Sequence, residues 1–418
     1  MSTSAPAPSA SAVRMRRARK LAGFVMLPAL NALAPLLILP VITGRLGVDA
    51  WVGVAIAQSV GSAGAVLVEL GWGLTGTQRV ARQHRDNRLH LIALSTITKL
   101  IVLVPAAIGC TVVVIALAPN DTLACIAIAI AGCVASLGAT WVYIGLGRAS
   151  LILLLDTVPR MLGLLIAAAA VIATGSLWGF AIPVLGSAIV SAVAAHLALG
   201  IRARHFRAHP RRRIVFAMRA QGSALAGRAL SALYIALPVT LVGAVAPVAE
   251  VAVFSAIERL QRMLLTGLQA LPNAIQGWVG SAGDPGERRR RAMTAVWANG
   301  GTGIIAGAVA ALILPPASRI LFSGVADIPP ELAALSGLLI AIVSFSRATG
   351  GIALVAVGRI GAIAWSALAG AIIGIPGILV LAHLLGAAGG LLGEITAELT
   401  VLAVQAFALH RALRRRRH

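Results

Sequence analysis

Five cations, Lys99, Arg228, Arg259, Arg262 and Arg347, stand inside long runs of apolar residues, as do the carboxylates Glu69, Glu258, Glu394 and Glu398. If those runs cross a membrane, each cation costs about 2.5–3.5 kcal/mol at mid-bilayer, so it must face a water-filled cavity or a partner. Arg259 sits too deep to reach the interface, about nine residues into its run, or roughly 14 Å at 1.5 Å per residue. Arg262 stands i,i+4 from Glu258, and those two are expected to pair. Lys99 is near enough to a basic flank to snorkel. A guanidinium fork binds phosphate bidentately, so an interior dominated by arginine suits an anionic cargo better than a cationic one. Glu394 and Glu398 are also i,i+4 and share one helix face, the arrangement of a proton or cation site.

Other chemistry is thin. His196 and His383 are single and read as interhelical hydrogen-bonding residues. Cys110, Cys125 and Cys133 lie in apolar runs with no CxxC spacing and read as small buried hydrophobes. No GxxxxGK[ST] loop occurs, which argues against an ATP-driven pump contained in this chain. With no HExxH and no nucleophile or acid–base constellation, the expectation is a non-enzymatic protein without cofactor or metal.

The elements that must carry these residues follow from composition. The 418 residues are 59% hydrophobic and only 11% charged, with mean hydropathy +0.94. A soluble domain carries about a quarter charged residues, so most of this exterior must face lipid. A spanning helix needs roughly 20 mainly apolar residues. On that rule the spans run 21–42, 50–73, 91–118, 121–146, 155–174, 177–200, 222–246, 250–280, 293–315, 331–357, 360–382 and 386–410. The first run is too long for a signal-peptide core and reads as a retained helix. Pro28, Pro35 and Pro40 interrupt it, with Asn31 between the first two. Bent helices of this kind suit a cavity, where neighbours or water re-satisfy the freed backbone groups. Gly370 and Gly374 form a GxxxG suited to helix packing.

Charge distribution gives orientation. Lys and Arg number 35 against 13 Asp and Glu, a net +22 that by itself suggests a nucleic-acid partner. The cations are instead scattered over short connections. Apart from the five inside spans, only Arg45 and Arg319 lie on the opposite side from the rest. That is the positive-inside pattern, with both termini cytoplasmic, and it excludes nucleic acid as the partner. The expected class is an all-α integral membrane protein of about twelve transmembrane helices in two pseudo-symmetric six-helix lobes. Its parts would be a basic tail 1–20, an N-lobe 21–200, a basic linker 201–219, a C-lobe 220–410 and a basic tail 411–418. Two such halves suit rocking about a central site.

Particular residues add a resemblance. Leu39–Val60 (LPVITGRLGVDAWVGVAIAQSV) and Leu67–Arg82 (LVELGWGLTGTQRVAR) resemble the start of bacterial polysaccharide flippases of the multidrug/oligosaccharidyl-lipid/polysaccharide (MOP) exporter superfamily. The matching positions are Pro40, Arg45, Leu46, Gly47, Trp51, Gly53, Glu69, Gly71, Arg79 and Ala81. Trp141–Arg148 (WVYIGLGR) is similar to the segment closing span four of that family. Val251–Leu264 (VAVFSAIERLQRML) looks like its span eight, with Val251 in place of Gly and Phe254 in place of Tyr. The resemblance implies a MATE-like fold of twelve to fourteen helices whose spans one, two, seven and eight line a cavity open to one side at a time. It also implies a cargo, an undecaprenyl-pyrophosphate-linked glycan carried from inner to outer leaflet for surface polysaccharide synthesis. Arg259, Arg262, Arg228, Asn31, Gln58 and Glu69 fall on the implied cavity helices, and Arg347 joins them from its depth in span ten. The chain departs from the family in its short loops and its 4% aromatic content, which leaves few sugar-stacking surfaces.

The expected activity is therefore a flippase of the bacterial plasma membrane. Its partners would be a lipid-linked glycan, membrane lipids and other glycan-assembly proteins. Two alternatives stand beside it, a cation-coupled small-molecule antiporter of the same superfamily and a membrane enzyme of polyprenyl-glycan metabolism. The latter would need a large outer loop, which the sequence lacks.

Overall fold

A computed structural model describes residues 38–118, 120–207 and 209–414; Asn31 and most of the first expected span lie outside them. Among the described residues there is no strand. The first group of helices comprises α1 (Leu39–Glu69), α2 (Trp72–Arg82), α3 (Arg85–Leu117), α4 (Thr122–Ala135), α5 (Thr140–Gly145), α6 (Ala149–Ile152), α7 (Val158–Thr174) and α8 (Trp178–Ala198). The second comprises α9 (Ala203–Arg207), α10 (Arg211–Ala236), α11 (Pro238–Gly243), α12 (Val248–Leu268), α13 (Ala270–Gly280), α14 (Pro285–Leu321), α15 (Pro330–Ala348) and α16 (Ile360–Arg414). Two π-helical turns, Leu153–Thr157 and Thr349–Leu354, precede α7 and follow α15.

Helices are what this composition permits in lipid, where every backbone polar group must be satisfied within its own segment. Leu100, Val104, Ile108, Val112 and Ile115 form an exposed apolar stripe down α3, four of them at about 60% exposure. Water would not tolerate such a stripe; acyl chains do. The chain is a multi-pass membrane protein.

Among the described residues eight helices are long and apolar enough to span. The expected twelve differ from that number for identifiable reasons. α1 joins the end of span one to span two across Gly47 (φ +84°), and α16 joins spans eleven and twelve across Gly386 (φ +58°). Expected span seven is broken before Pro238, and span eight is two helices, α12 and α13, not one run over 250–280. α12, which is long enough but too charged to qualify as a span, carries Glu258, Arg259 and Arg262.

α1, α3, α4, α7 and α8 pack on one another, and α10, α11, α14, α15 and α16 do the same. In each group one helix pair meets backbone to backbone. A Cβ on Gly61 would stand 2.7 Å from the Ala129 carbonyl oxygen, and one on Gly307 2.2 Å from that of Gly337. The GxxxG residue Gly370 lies against Val401, as helix packing requires. Between the groups, α1 touches α10, α11 and α12. Trp51 Nε1 donates to the Ala252 carbonyl (3.1 Å), and its ring lies 5.0 Å from Phe322. Ser59 Oγ donates to the Ala236 carbonyl (2.7 Å) and accepts from Thr240 Oγ1 (2.8 Å). The groups meet again where α9 and α10 touch α3.

Within the expected linker 201–219, residues 203–207 form α9 and residues 211–219 the first turns of α10. It docks on α3 through three histidines. The His90 ring meets His205 at 5.3 Å and His209 at 5.8 Å, both edge-on. His205 Nδ1 accepts from the Arg202 backbone N–H (2.9 Å). Burial, with Arg213 beside it, holds the His209 imidazole below the usual histidine range. The undocked linker therefore binds more protons, and docking weakens as pH falls through the histidine range. Amide exchange of α9, corrected for its intrinsic pH dependence, is expected to speed up between about pH 7.5 and about pH 5.5. Exchange that stays constant would show that the histidines do not hold the linker.

Candidate functional site

α12 presents Ser255, Glu258, Arg259 and Arg262 to a small cleft, about 80 Å³, facing Trp51, Gln58, Ser59 and Ser62 of α1. The helical period explains the row, since residues three and four apart share a face. Arg259 crosses the cleft, its Nη1 donating to Gln58 Oε1 at 2.5 Å. Its Nε and the hydroxyl of Ser255 are buried with no hydrogen-bond partner among the described residues. A buried donor left without an acceptor costs about 1–3 kcal/mol.

The other two arginines are spoken for. Arg262 pairs with Glu258, which is 4% exposed, and its Nη2 donates to the Ile235 carbonyl (2.5 Å). Arg347 Nη1 donates to the Leu265 carbonyl (2.9 Å) and to Gln269 Oε1 (3.2 Å) at the end of α12. Both satisfy carbonyls that the ends of α10 and α12 leave open. Together with Glu394 and Glu398 they line a second cavity of about 380 Å³ on the C-terminal side. Glu258 borders it too, so three carboxylates stand there against two arginines. Glu394 is buried, and its Oε2 has no partner among the described residues.

On the N-terminal side lie two further chambers. One of about 400 Å³ runs from Gln58 and Arg259 to Arg160 between largely apolar walls. The next, about 370 Å³, holds Glu69, Lys99, Thr140, Trp141 and Arg160.

The expected site residues thus separate into three places. Gln58, Arg259 and Arg262 meet in the cleft, and Arg262, Arg347, Glu394 and Glu398 in the second cavity. Glu69, expected in the central cavity, instead lines the deeper N-terminal chamber, because the last turns of α1 face α3 and α5 there. Arg228 lies on α10, but its side chain is outside the described residues, and Asn31 is outside them altogether.

Two expectations fail. Lys99 does not snorkel; it is 2% exposed and its Nζ donates to the Ser136 carbonyl (2.7 Å). Arg160, one of the cations of the short connections, also departs from the positive-inside reading of those charges: it reaches a chamber wall from the first turn of α7 and pairs with Asp156 (3.0 Å). The sequence signal for Arg160 was its i,i+4 spacing to that carboxylate, the same spacing that exposed Glu258 and Arg262. His196 behaves as expected, with Nε2 2.7 Å from Thr96 Oγ1. The cysteines are free and buried. Among the described residues no group of three or more His, Cys, Asp or Glu is placed to hold a metal ion.

Residues 19–273 match the family model for polysaccharide biosynthesis proteins. No curated protein matches the chain. Solved structures share its fold. Lipid II flippase MurJ in an inward closed conformation aligns with a TM-score of 0.67 at 7% identity, over 94% of this chain and 87% of that one. An inward-facing multidrug resistance MATE family transporter of the MOP superfamily gives 0.60 at 14%, over 93% and 96%. A eukaryotic MATE transporter gives 0.59 at 16%, over 96% and 99%. At these identities the likeness is one of fold.

Proposed function

The chain belongs to the polysaccharide biosynthesis protein family and has the fold of MOP-superfamily transporters, and from that premise we propose that it is a flippase for an undecaprenyl-pyrophosphate-linked oligosaccharide. The supporting observation is Arg259, a half-buried arginine whose buried Nε is open, with no carboxylate partner among the described residues and a wide chamber before it. A diphosphate supplies the acceptors this group lacks, and the fork geometry suits them. Gln58 holds the guanidinium in place, and Arg228 and Asn31 are assigned to the same cargo path. The polyprenyl tail stays in lipid. The protein acts as a carrier, not a catalyst, and needs no cofactor.

The two lobes, 21–200 and 220–410, rock about this cleft. The lobes meet through Trp51, Ser59, Phe322 and Ala252, with α9 and α10 also against α3, and we infer a path that opens in turn to the arginine-rich side. The positive-inside rule makes that side the cytoplasm of a bacterial cell, with both termini there. Cargo enters from the inner leaflet and leaves to the outer. The carboxylates Glu394 and Glu398, with Glu258, are assigned to ion coupling, and Arg347 tunes their cavity.

That same cavity favours a second reading, a cation-coupled small-molecule antiporter, because three carboxylates outnumber two arginines there. Deleting the gene separates the two. The flippase reading expects undecaprenyl-linked glycan to accumulate in the inner leaflet, with loss of surface polysaccharide. Normal surface polysaccharide combined with sensitivity to lipophilic cations would favour the antiporter and overturn the flippase.

A further inference from the structure

We propose that the deeper N-terminal chamber is a subsite for an uncharged sugar ring, the one next to the phosphate held at Arg259; this rests on the flippase reading above. The two N-terminal chambers join along Ser62, Gly132, Ala135 and Arg160, so a ligand anchored at Arg259 reaches the deeper one without leaving the protein. At about 370 Å³ the deeper chamber falls within the range of small-molecule sites, ~300–1,000 Å³.

Its chemistry selects the ligand class. Lys99 spends one hydrogen bond on the Ser136 carbonyl, and an ammonium has three donors. Arg160 Nε lies 3.0 Å from Asp156 Oδ1 as an ion pair without hydrogen-bond geometry, and Asp156 accepts from Ser191 Oγ (3.2 Å). That pairing leaves the terminal nitrogens of the guanidinium to the chamber. Glu69 supplies acceptors and Thr140 both functions, while Trp141, stacked near Trp72 at 5.9 Å, adds an apolar edge. Donors and acceptors on opposing walls with one aromatic edge suit a ring carrying hydroxyls around its rim. Glu69 opposes Lys99 on the chamber wall, and Asp156, which stands behind that wall, offsets Arg160, so the pull on a second phosphate or a uronate is weak and a drug cation meets two fixed cations. The subsite thus sets which first sugar is accepted, through hydroxyl pattern rather than charge.

The test uses the full-length protein in lipid nanodiscs and two probes, undecaprenyl pyrophosphate and undecaprenyl-pyrophosphoryl-N-acetylglucosamine, with binding read by tryptophan fluorescence. The unaltered protein is expected to bind the sugar-bearing lipid about 10-fold more tightly, the yield of one or two well-made hydrogen bonds. Ala135→Phe, which fills the junction, and the charge-balanced pair Lys99→Met/Glu69→Gln should each abolish that preference while leaving undecaprenyl pyrophosphate binding unchanged. Arg259→Ala should weaken both lipids together. Equal binding of the two lipids by the unaltered protein overturns the subsite while the flippase reading stands. A preference that survives both variants does the same. Binding of neither lipid overturns the flippase reading and the subsite with it.

Discussion

Arg259→Ala is expected to slow delivery of the lipid-linked glycan about 100-fold with little loss of folded protein. The magnitude follows from a bidentate, charge-assisted contact of about 1.5–3 kcal/mol, at 1.4 kcal/mol per factor of ten. Folding should survive because the one described partner of this guanidinium is Gln58, a neutral side chain that water can satisfy. Arg259→Lys keeps the charge but loses the fork, and is expected to fall between, at roughly 10-fold. The measurement is the initial rate at which surface polysaccharide reappears when the variant is induced in the deletion strain. Wild-type rates in Arg259→Ala would remove it from the cargo site.

Arg262 offers the contrast that makes the experiment specific. Removing it leaves Glu258 buried and unpaired, a loss of about 3–5 kcal/mol in stability. Its defect should therefore appear as lost protein and be relieved when Glu258→Gln accompanies Arg262→Gln.

Trp51→Ala is expected to shift the conformational balance toward opening on the arginine-poor side. Trp51 is 1% exposed, donates to the Ala252 carbonyl and packs on Phe322, all across the junction of the two helix groups. Those contacts exist only while this end is closed. Truncating a buried aromatic costs about 3–5 kcal/mol in a packed interior. A bias of about 3 kcal/mol is on the order of 100-fold in the open-to-closed ratio. Ser255→Cys in a background lacking Cys110, Cys125 and Cys133 reports the change, through its reaction with a membrane-impermeant maleimide applied from the arginine-poor side. Trp51→Ala should raise that rate steeply, and transport should fall because the return step needs closure. An unchanged labelling rate would mean that closure depends on other contacts.

The amino-acid sequence by itself determined the solvent of this protein and its class. Those are properties of composition and of sums along short segments, and no tertiary contact alters them. It also exposed whatever couples residues one helical turn apart. The Glu258–Arg262 pair and the shared face of Glu394 and Glu398 are local geometry, fixed once a helix forms. It singled out Arg259 for the same reason, since depth in a run needs only a rise per residue.

Only the tertiary structure decided which cations are free. Lys99 bonds the carbonyl of Ser136 just past α4, Arg347 caps α12, and Arg259 faces Gln58 from 201 residues away. Such partners are set by how kinked helices cross, and a glycine at Gly47 or Gly386 changes that crossing without leaving any periodic trace. Spans seven and eight were drawn too long because hydropathy rewards length, whereas a cavity wall breaks and carries charge. The separation into a cationic cleft, a carboxylate-rich cavity and a mixed-charge chamber exists only where side chains distant in sequence converge, and long-range packing alone brings them there.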